Sequence, residues 1–384
     1  MAEDLNRLSD QAFRARFAAW LDANYPQAWR QTLQRPFRRL RGAEVKDWIG
    51  LLNRGGWRSP GLPIEHGGLG LDFTKQAIYR EELERIGAAR VIDLGDVQLA
   101  PTLIMHGDED QQRTYLPGII SGDHIWCQGY SEPGAGSDLA SLSTSGMIEG
   151  DKIVVTGQKI WTTHANESTH IFLLVRTSRE RRKQDGITFV LMDLATPGVE
   201  VRTINNLAGE DEFCEVFFDG ARAPVTNIIG PIGEGWSVAK ALLGYERIWI
   251  GSPGLAASAL KVTRHLMSGE DDQGLVDRYA ELACDLHDLR ALYAAACQRV
   301  AHGEAPGAEV SMLKLVATEL QQRISAFNLE LGGARSAIDG PAIFGGEALD
   351  LPWQFLMSRP QAIFAGSNEI QRSLIAKAVL DLPS

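Results

Sequence analysis

Chemistry on a carbonyl-rich or anionic ligand needs backbone N–H groups that can approach it closely. The run Trp126-Cys127-Gln128-Gly129-Tyr130-Ser131-Glu132-Pro133-Gly134-Ala135-Gly136-Ser137-Asp138-Leu139 offers such a loop. Gly134 and Gly136 carry no Cβ to obstruct the approach. Leu139 stands where a G-x-G-x-x-G fingerprint needs its last glycine, and no βαβ unit surrounds the run, so a dinucleotide-binding fold is disfavoured. A second stretch, Lys159-Ile160-Trp161-Thr162-Thr163, follows a strand pattern that would project Trp161 and Thr163 together from one extended segment. Taken alone, Trp161 reads as an interdomain packing residue. Leu243-Gly244-Tyr245-Glu246-Arg247 sits in a helical pattern, where Glu246 and Arg247 alone read as an ordinary exposed pair. Cys127, Cys214, Cys284 and Cys297 are scattered, with no C-x-x-C pair and no histidine at ligand spacing, which predicts reduced thiols and no metal site.

Three segments in this order, Tyr130 to Asp138, Lys159 to Thr163, and Ala365-Gly366-Ser367-Asn368-Glu369-Ile370-Gln371-Arg372, resemble the signature segments of flavin-dependent acyl-CoA dehydrogenases. The similarity covers nearly the whole chain and includes Leu62-Pro63-Ile64-Glu65-His66-Gly67-Gly68-Leu69-Gly70, which resembles the family's Pro-x-Glu-x-Gly-Gly loop. His66 is read there as a structural loop residue. The resemblance implies FAD, with Trp161 against the isoalloxazine, Thr163 near its N5, and Tyr130 and Ser131 lining the ring. It implies Ser137 at the flavin or pantetheine and Ser367 and Glu369 at the adenosine part. The basic residues Arg179, Arg181, Arg182 and Lys183 read as a solvated loop, with the CoA 3′-phosphate as the alternative.

Dehydrogenating an acyl-CoA takes a carboxylate that removes the α-proton while hydride leaves the β-carbon. Many family members place that glutamate just before the glycine of the C-terminal motif, where this chain has Ala365. A second family location lies on the first long helix after the β-domain, and the resemblance there implies Glu246 as the base. An apolar surrounding from Tyr245 and Trp249 would raise its pKa toward neutrality. Arg247 points about 100° away from Glu246 on a helix, so its implied role is to hold the helix or nearby backbone. The thioester oxygen gains charge as the proton departs, and the implied donor from the protein is the Ala365 backbone N–H.

Family homotetramers complete each FAD site with an arginine segment and a glutamine from a neighbouring subunit. The corresponding stretches here read Ser268-Gly269-Glu270-Asp271-Asp272-Gln273-Gly274 and Leu329-Glu330-Leu331-Gly332-Gly333. Acidic groups beside a diphosphate are unfavourable. The resemblance therefore points to a homologous partner chain in a heterotetramer of the α2β2 type, as in bacterial enzymes acting on steroid side chains, with electron-transfer flavoprotein as acceptor. A homo-oligomer with altered FAD contacts is the alternative. Bulky sterol or bile-acid, dicarboxyl and branched acyl-CoA thioesters all stay open as substrates. So do an oxidase or monooxygenase on the same scaffold, and a non-catalytic scaffolding subunit.

The elements that position these residues are predicted by periodicity. A chain of 384 residues with 44% hydrophobic content supports two or three domains. Apolar residues at three- and four-residue steps, such as Phe13, Phe17, Trp20 and Leu21, predict a helical domain over 1–122. Short β-branched and aromatic runs between Gly, Asp and Pro predict an antiparallel β-domain over 123–237, with a hairpin turn at Glu149-Gly150-Asp151-Lys152. Helical periodicity over Ala241 to Met267, Leu275 to Val300 and Leu313 to Leu320 predicts a four-helix bundle over 238–384. The fold class is α+β. A net charge of −11 and a pI near 5.3 argue against nucleic acid or an anionic membrane as the main partner. The acidic N-terminus and the lack of a long apolar run predict a cytoplasmic protein without membrane insertion.

Overall fold

A computed structural model describes residues 4–32, 40–88, 91, 93–269, 271–304, 307 and 310–383, without the side chains of 30–32, 241–247 and 249. The helices are α1 (Asp10–Asn24), α2 (Gln27–Thr32), α3 (Ala43–Gly55), α4 (Phe73–Arg85), α5 (Ala100–His106), α6 (Glu109–Ser121), α7 (Gly235–Ile250), α8 (Gly254–Leu266), α9 (Gln273–Ala301), α10 (Val310–Gly332), α11 (Leu351–Ser358) and α12 (Asn368–Ala378). Between α6 and α7 lie β1 (Trp126–Gly129), β2 (Ser145–Glu149), β3 (Lys152–Thr163), β4 (His170–Arg176), β5 (Ile187–Asp193), β6 (Val199–Ile204), β7 (Phe213–Pro224) and β8 (Ile228–Ile229). The order is thus helical, sheet, helical, and the fold class is α+β. Two compact units result, one of residues 40–70 and 91–243 and one of residues 1–39, 71–90 and 244–384.

The first unit is built on an eight-stranded sheet ordered β6-β7-β3-β2-β4-β5-β8, with β1 paired to β4. Pairing is mostly antiparallel, but β1 runs parallel to β4, which makes the sheet mixed. β4 and β5 are near-continuous apolar runs because both of their faces are covered. Phe172, Leu174, Phe189 and Leu191 pack with Leu99, Leu103, Leu116 and Ile119 of the surrounding helices. The alternate residues Ile171, Leu173, Val175, Val190 and Met192 pack with Ile153, Val155, Cys214 and Val216. The expected hairpin joins β2 to β3 with Glu149 opposite Lys152 and Gly150 at φ +63°. Asp108 and Gln111 form a reciprocal capping box that starts α6.

The second unit gathers α1, α4 and α8–α12. Ser9 caps α1, whose Phe13, Phe17 and Leu21 are buried at helical spacing, and Phe17 stacks on Tyr79 of α4 at 4.3 Å. Its main core joins Leu260, Leu282, Leu286, Leu289, Leu313, Leu320 and Phe327 from α8, α9 and α10. The helical stretch expected from Ala241 to Met267 is two helices, broken at Gly251-Ser252-Pro253. Pro253 supplies the reason, since it cannot donate to a continuing helix and its ring disfavours helical backbone in the residue before it. Among the described residues no helix is long and apolar enough to cross a membrane.

Candidate active site

Within the sheet unit the glycine-rich loop is fastened to β3. Lys159, wholly buried, donates from Nζ to a Glu132 carboxylate oxygen at 2.8 Å and to the Tyr130 carbonyl at 3.2 Å. Glu132 also accepts from the Ser143 and Thr144 backbone N–H groups at 2.6 and 2.8 Å. Burial alone would raise the Glu132 carboxyl, but the Lys159 ammonium and these donors overcome it and hold it down at about 2. Burial pushes Lys159 down to about 8 against the pull of Glu132, so both groups are charged at neutral pH. The Ile160 N–H donates to the Ser131 carbonyl at 2.9 Å, and Glu132 and Ala135 exchange two backbone hydrogen bonds at 3.0 Å. Tyr130 and Ser131 are therefore held beside the strand that carries Trp161 and Thr163.

β3 is irregular where those residues sit. Its register against β7 shifts between Lys159 and Thr162, and Trp161 takes φ +60°, a left-handed backbone that costs a bulky L-residue about 1–2 kcal/mol. The bulge re-aims the side chain: Trp161 is 57% exposed and touches Phe213 edge-on at 6.0 Å. Trp161 is thus no core residue of its own unit. Thr163 is half-buried opposite Phe213, and Thr162 between them is buried with its hydroxyl unpartnered among the described residues. A Cβ on Gly134 or Gly136 would meet nothing, so the fold itself does not require glycine there. Ser137 is exposed at the end of the same loop. Lys183 pairs with Asp138 at 2.8 Å and Arg182 with Asp185 at 2.7 Å, which occupies half of the basic cluster with its neighbours.

Within the helical unit the C-terminal motif forms a strained turn leading into α12. Ala365 at φ +53° and Gly366 at φ +79° are both left-handed, and Ser367 caps α12 by accepting from the Ile370 N–H at 3.5 Å. Buried Gln371 donates from Nε2 to the Ala365 and Gly366 carbonyls, each at 3.1 Å. Among the described residues the Ala365 N–H has no acceptor. Glu369 lies in the first turn of α12, where its own backbone N–H and the Ser367 hydroxyl hold its carboxyl below the usual range. Glu246 and Arg247 lie on α7, and their side chains, with those of Tyr245 and Trp249, lie outside the described residues.

At the two acidic stretches, Asp272 caps α9 by accepting from the Leu275 N–H at 3.1 Å, and Glu330 takes Arg278 at 2.6 Å. Glu330 therefore already has a cationic partner, and Glu270 lies outside the described residues. An indole more than half exposed offers an apolar face suited to a flat ring, whereas Asp271 and Asp272 offer a pyrophosphate no cation. No group of histidine, cysteine and acidic residues among the described ones could hold a metal. A groove of about 680 Å³ in the sheet unit, lined by Glu65, His66, Gln112 and Arg113 among others, contains none of the candidate residues.

The sequence motifs contained Glu132 and Lys159 without revealing their pairing. A lysine amid strand residues and a glutamate beside Pro133 were the available signals. Gln371 and Lys314, which donates to Asn368, gave a weaker one, polar residues on helical faces that also carry the core.

Comparison with known proteins covers the whole architecture. Residues 9–123, 127–221 and 233–380 match the models for the acyl-CoA dehydrogenase N-terminal, middle and C-terminal domains. The chain is 35% identical to acyl-CoA dehydrogenase IpdE1 of Mycobacterium tuberculosis, over 97% of this chain and 98% of that one. It is 34% identical to the IpdE1 of Mycolicibacterium smegmatis over the same shares. Among solved structures, the Tcur3481-Tcur3483 steroid ACAD superposes with a TM-score of 0.86 at 28% identity, covering 99% of this chain and 100% of that chain. The ChsE4-ChsE5 complex from Mycobacterium tuberculosis gives 0.80 at 27% identity, over 98% and 100%.

Proposed function

Because this chain belongs to the acyl-CoA dehydrogenase family and is an oxidoreductase of that kind, we propose that it dehydrogenates a bulky acyl-CoA, of the steroid side-chain class, to the 2-enoyl-CoA. Bound FAD supplies the hydride acceptor. Tyr130, Ser131, Ser137, Trp161, Thr163, Ser367 and Glu369 are its candidate binding residues. Glu246 removes the α-proton, the Ala365 N–H donates to the thioester oxygen, and Arg247 steadies α7. The observation that carries this reading is the Trp161 bulge. A strand that spends backbone strain to keep a tryptophan more than half exposed, beside a loop fastened by a buried ion pair, supports a ring-stacking role.

Ala365 keeps a backbone donor but no carboxyl, which supports a base elsewhere, and Glu246 is the candidate. The acidic run before α9 supports a partner chain that completes the pyrophosphate site, giving a heterotetramer with electron-transfer flavoprotein as acceptor. The similarity to the Tcur3481-Tcur3483 steroid ACAD supports that substrate class, and the similarity to the ChsE4-ChsE5 complex supports a two-chain assembly. Co-expression with a homologous acyl-CoA dehydrogenase chain from the same genome, followed by turnover of steroid side-chain CoA thioesters with an artificial electron acceptor, tests the proposal. Enoyl-CoA formation is expected from the pair. A flavin-loaded pair that converts no acyl-CoA would defeat it, and rapid reaction of its reduced flavin with oxygen would favour an oxidase instead.

A further inference from the structure

Helix α10 carries a polar row along its buried side. Ser311, Lys314, Thr318, Gln321, Ser325 and Asn328 recur every three or four residues, and none is more than 1% exposed. Burying an ammonium in a helix bundle costs several kcal/mol, which its partners must offset. What Lys314 holds in place is therefore the question its burial raises.

Its contacts close a directed ring. Lys314 Nζ donates to Asn368 Oδ1 at 2.7 Å, Asn368 Nδ2 donates to Thr318 Oγ1 at 3.2 Å, and the Thr318 hydroxyl donates to the Lys314 carbonyl at 2.8 Å. A second arm of the Asn368 amide reaches Glu319 at 3.2 Å. The ring fixes the amide orientation of Asn368, the first residue of α12. Three residues back stands Ala365, whose left-handed backbone persists only where its surroundings hold it. Gln371, one turn into α12, holds the Ala365 and Gly366 carbonyls.

We propose that Lys314 is a positioning residue: through Asn368 it locks the start of α12, and so keeps the Ala365–Gly366 turn in the conformation that presents the Ala365 N–H. The inference rests on the reading of that N–H as the thioester donor. Lys314 does not touch the reacting atoms and acts only through the ring.

Amide exchange on the full chain tests it without reference to activity. Lys314→Met is expected to speed exchange in segment 363–372 at least tenfold more than in the helices of the same unit that do not touch the ring. Asn368→Ala, which leaves Lys314 in place, is expected to speed the same segment. In the assembled flavoenzyme Lys314→Met lowers kcat tenfold or more with KM and flavin content unchanged, and Lys314→Gln, which keeps an N–H donor, restores most of it. Unaltered exchange in segment 363–372 in both Lys314→Met and Asn368→Ala would overturn the proposal, as would activity that falls only in step with flavin loss and melting temperature. Absence of dehydrogenation in the unmutated enzyme would defeat the functional reading and leave the exchange result standing.

Discussion

Glu132 and Lys159 are charged, buried and in contact, and the loop that carries Tyr130 and Ser131 depends on them. Removing one partner strands the other, so Glu132→Gln should destabilise the chain by about 3–5 kcal/mol at neutral pH. The pH dependence has a definite sign. A carboxyl held at about 2 in the folded chain against an ordinary value of 4.5 contributes stability that is present above pH 4.5 and lost as the pH falls toward 2. Denaturant unfolding of both proteins across that window should show a smaller loss in Glu132→Gln. Equal slopes would mean that the Glu132 carboxyl is not held below its ordinary value in the folded chain. Neither role was legible from residue type, because an ion pair is set by two positions 27 residues apart meeting in space. The resemblance identified the segment, and geometry supplied the reason it is rigid.

At the scale of elements, period and punctuation carried far. The short β-branched and apolar runs at residues 153–156 and 171–175 marked β3 and β4, Gly150 and Asp151 marked the hairpin, and the spacing of Phe13, Phe17 and Leu21 marked α1. What periodicity could not carry was irregularity. β3 runs unbroken as one strand from Lys152 to Thr163 because β7 pairs along it, and its bulge at Trp161 leaves no compositional trace. The break before α8 was written in Pro253 but hidden by the apolar pattern on either side. The bulge yields a prediction. Trp161→Gly relieves a left-handed backbone worth about 1–2 kcal/mol and forfeits an edge contact worth about 0.5–1.5 kcal/mol. Stability should change by about 1 kcal/mol or less, while FAD retention on the assembled enzyme falls. A loss of 3 kcal/mol or more would mark Trp161 as a packing residue instead.

For the whole molecule, the order of helical, sheet and helical regions followed from the change of hydrophobic period, whereas the division into two units, one of three separate segments, could not be read from local pattern. Assembly belongs to this scale too. If a partner chain completes the pyrophosphate site, this chain purified alone should hold little flavin, and the co-purified pair one FAD for every two chains. Full occupancy in the chain alone would sink the hetero-assembly.

In the proposed FAD-dependent dehydrogenation Glu246 takes the α-proton. Its most direct test compares the assembled enzyme with a Glu246→Gln counterpart, measuring bound flavin and the single-turnover rate with an acyl-CoA that the unmutated enzyme converts. Equal flavin content and a rate lower by orders of magnitude are expected; an unchanged rate would rule out Glu246 as the base.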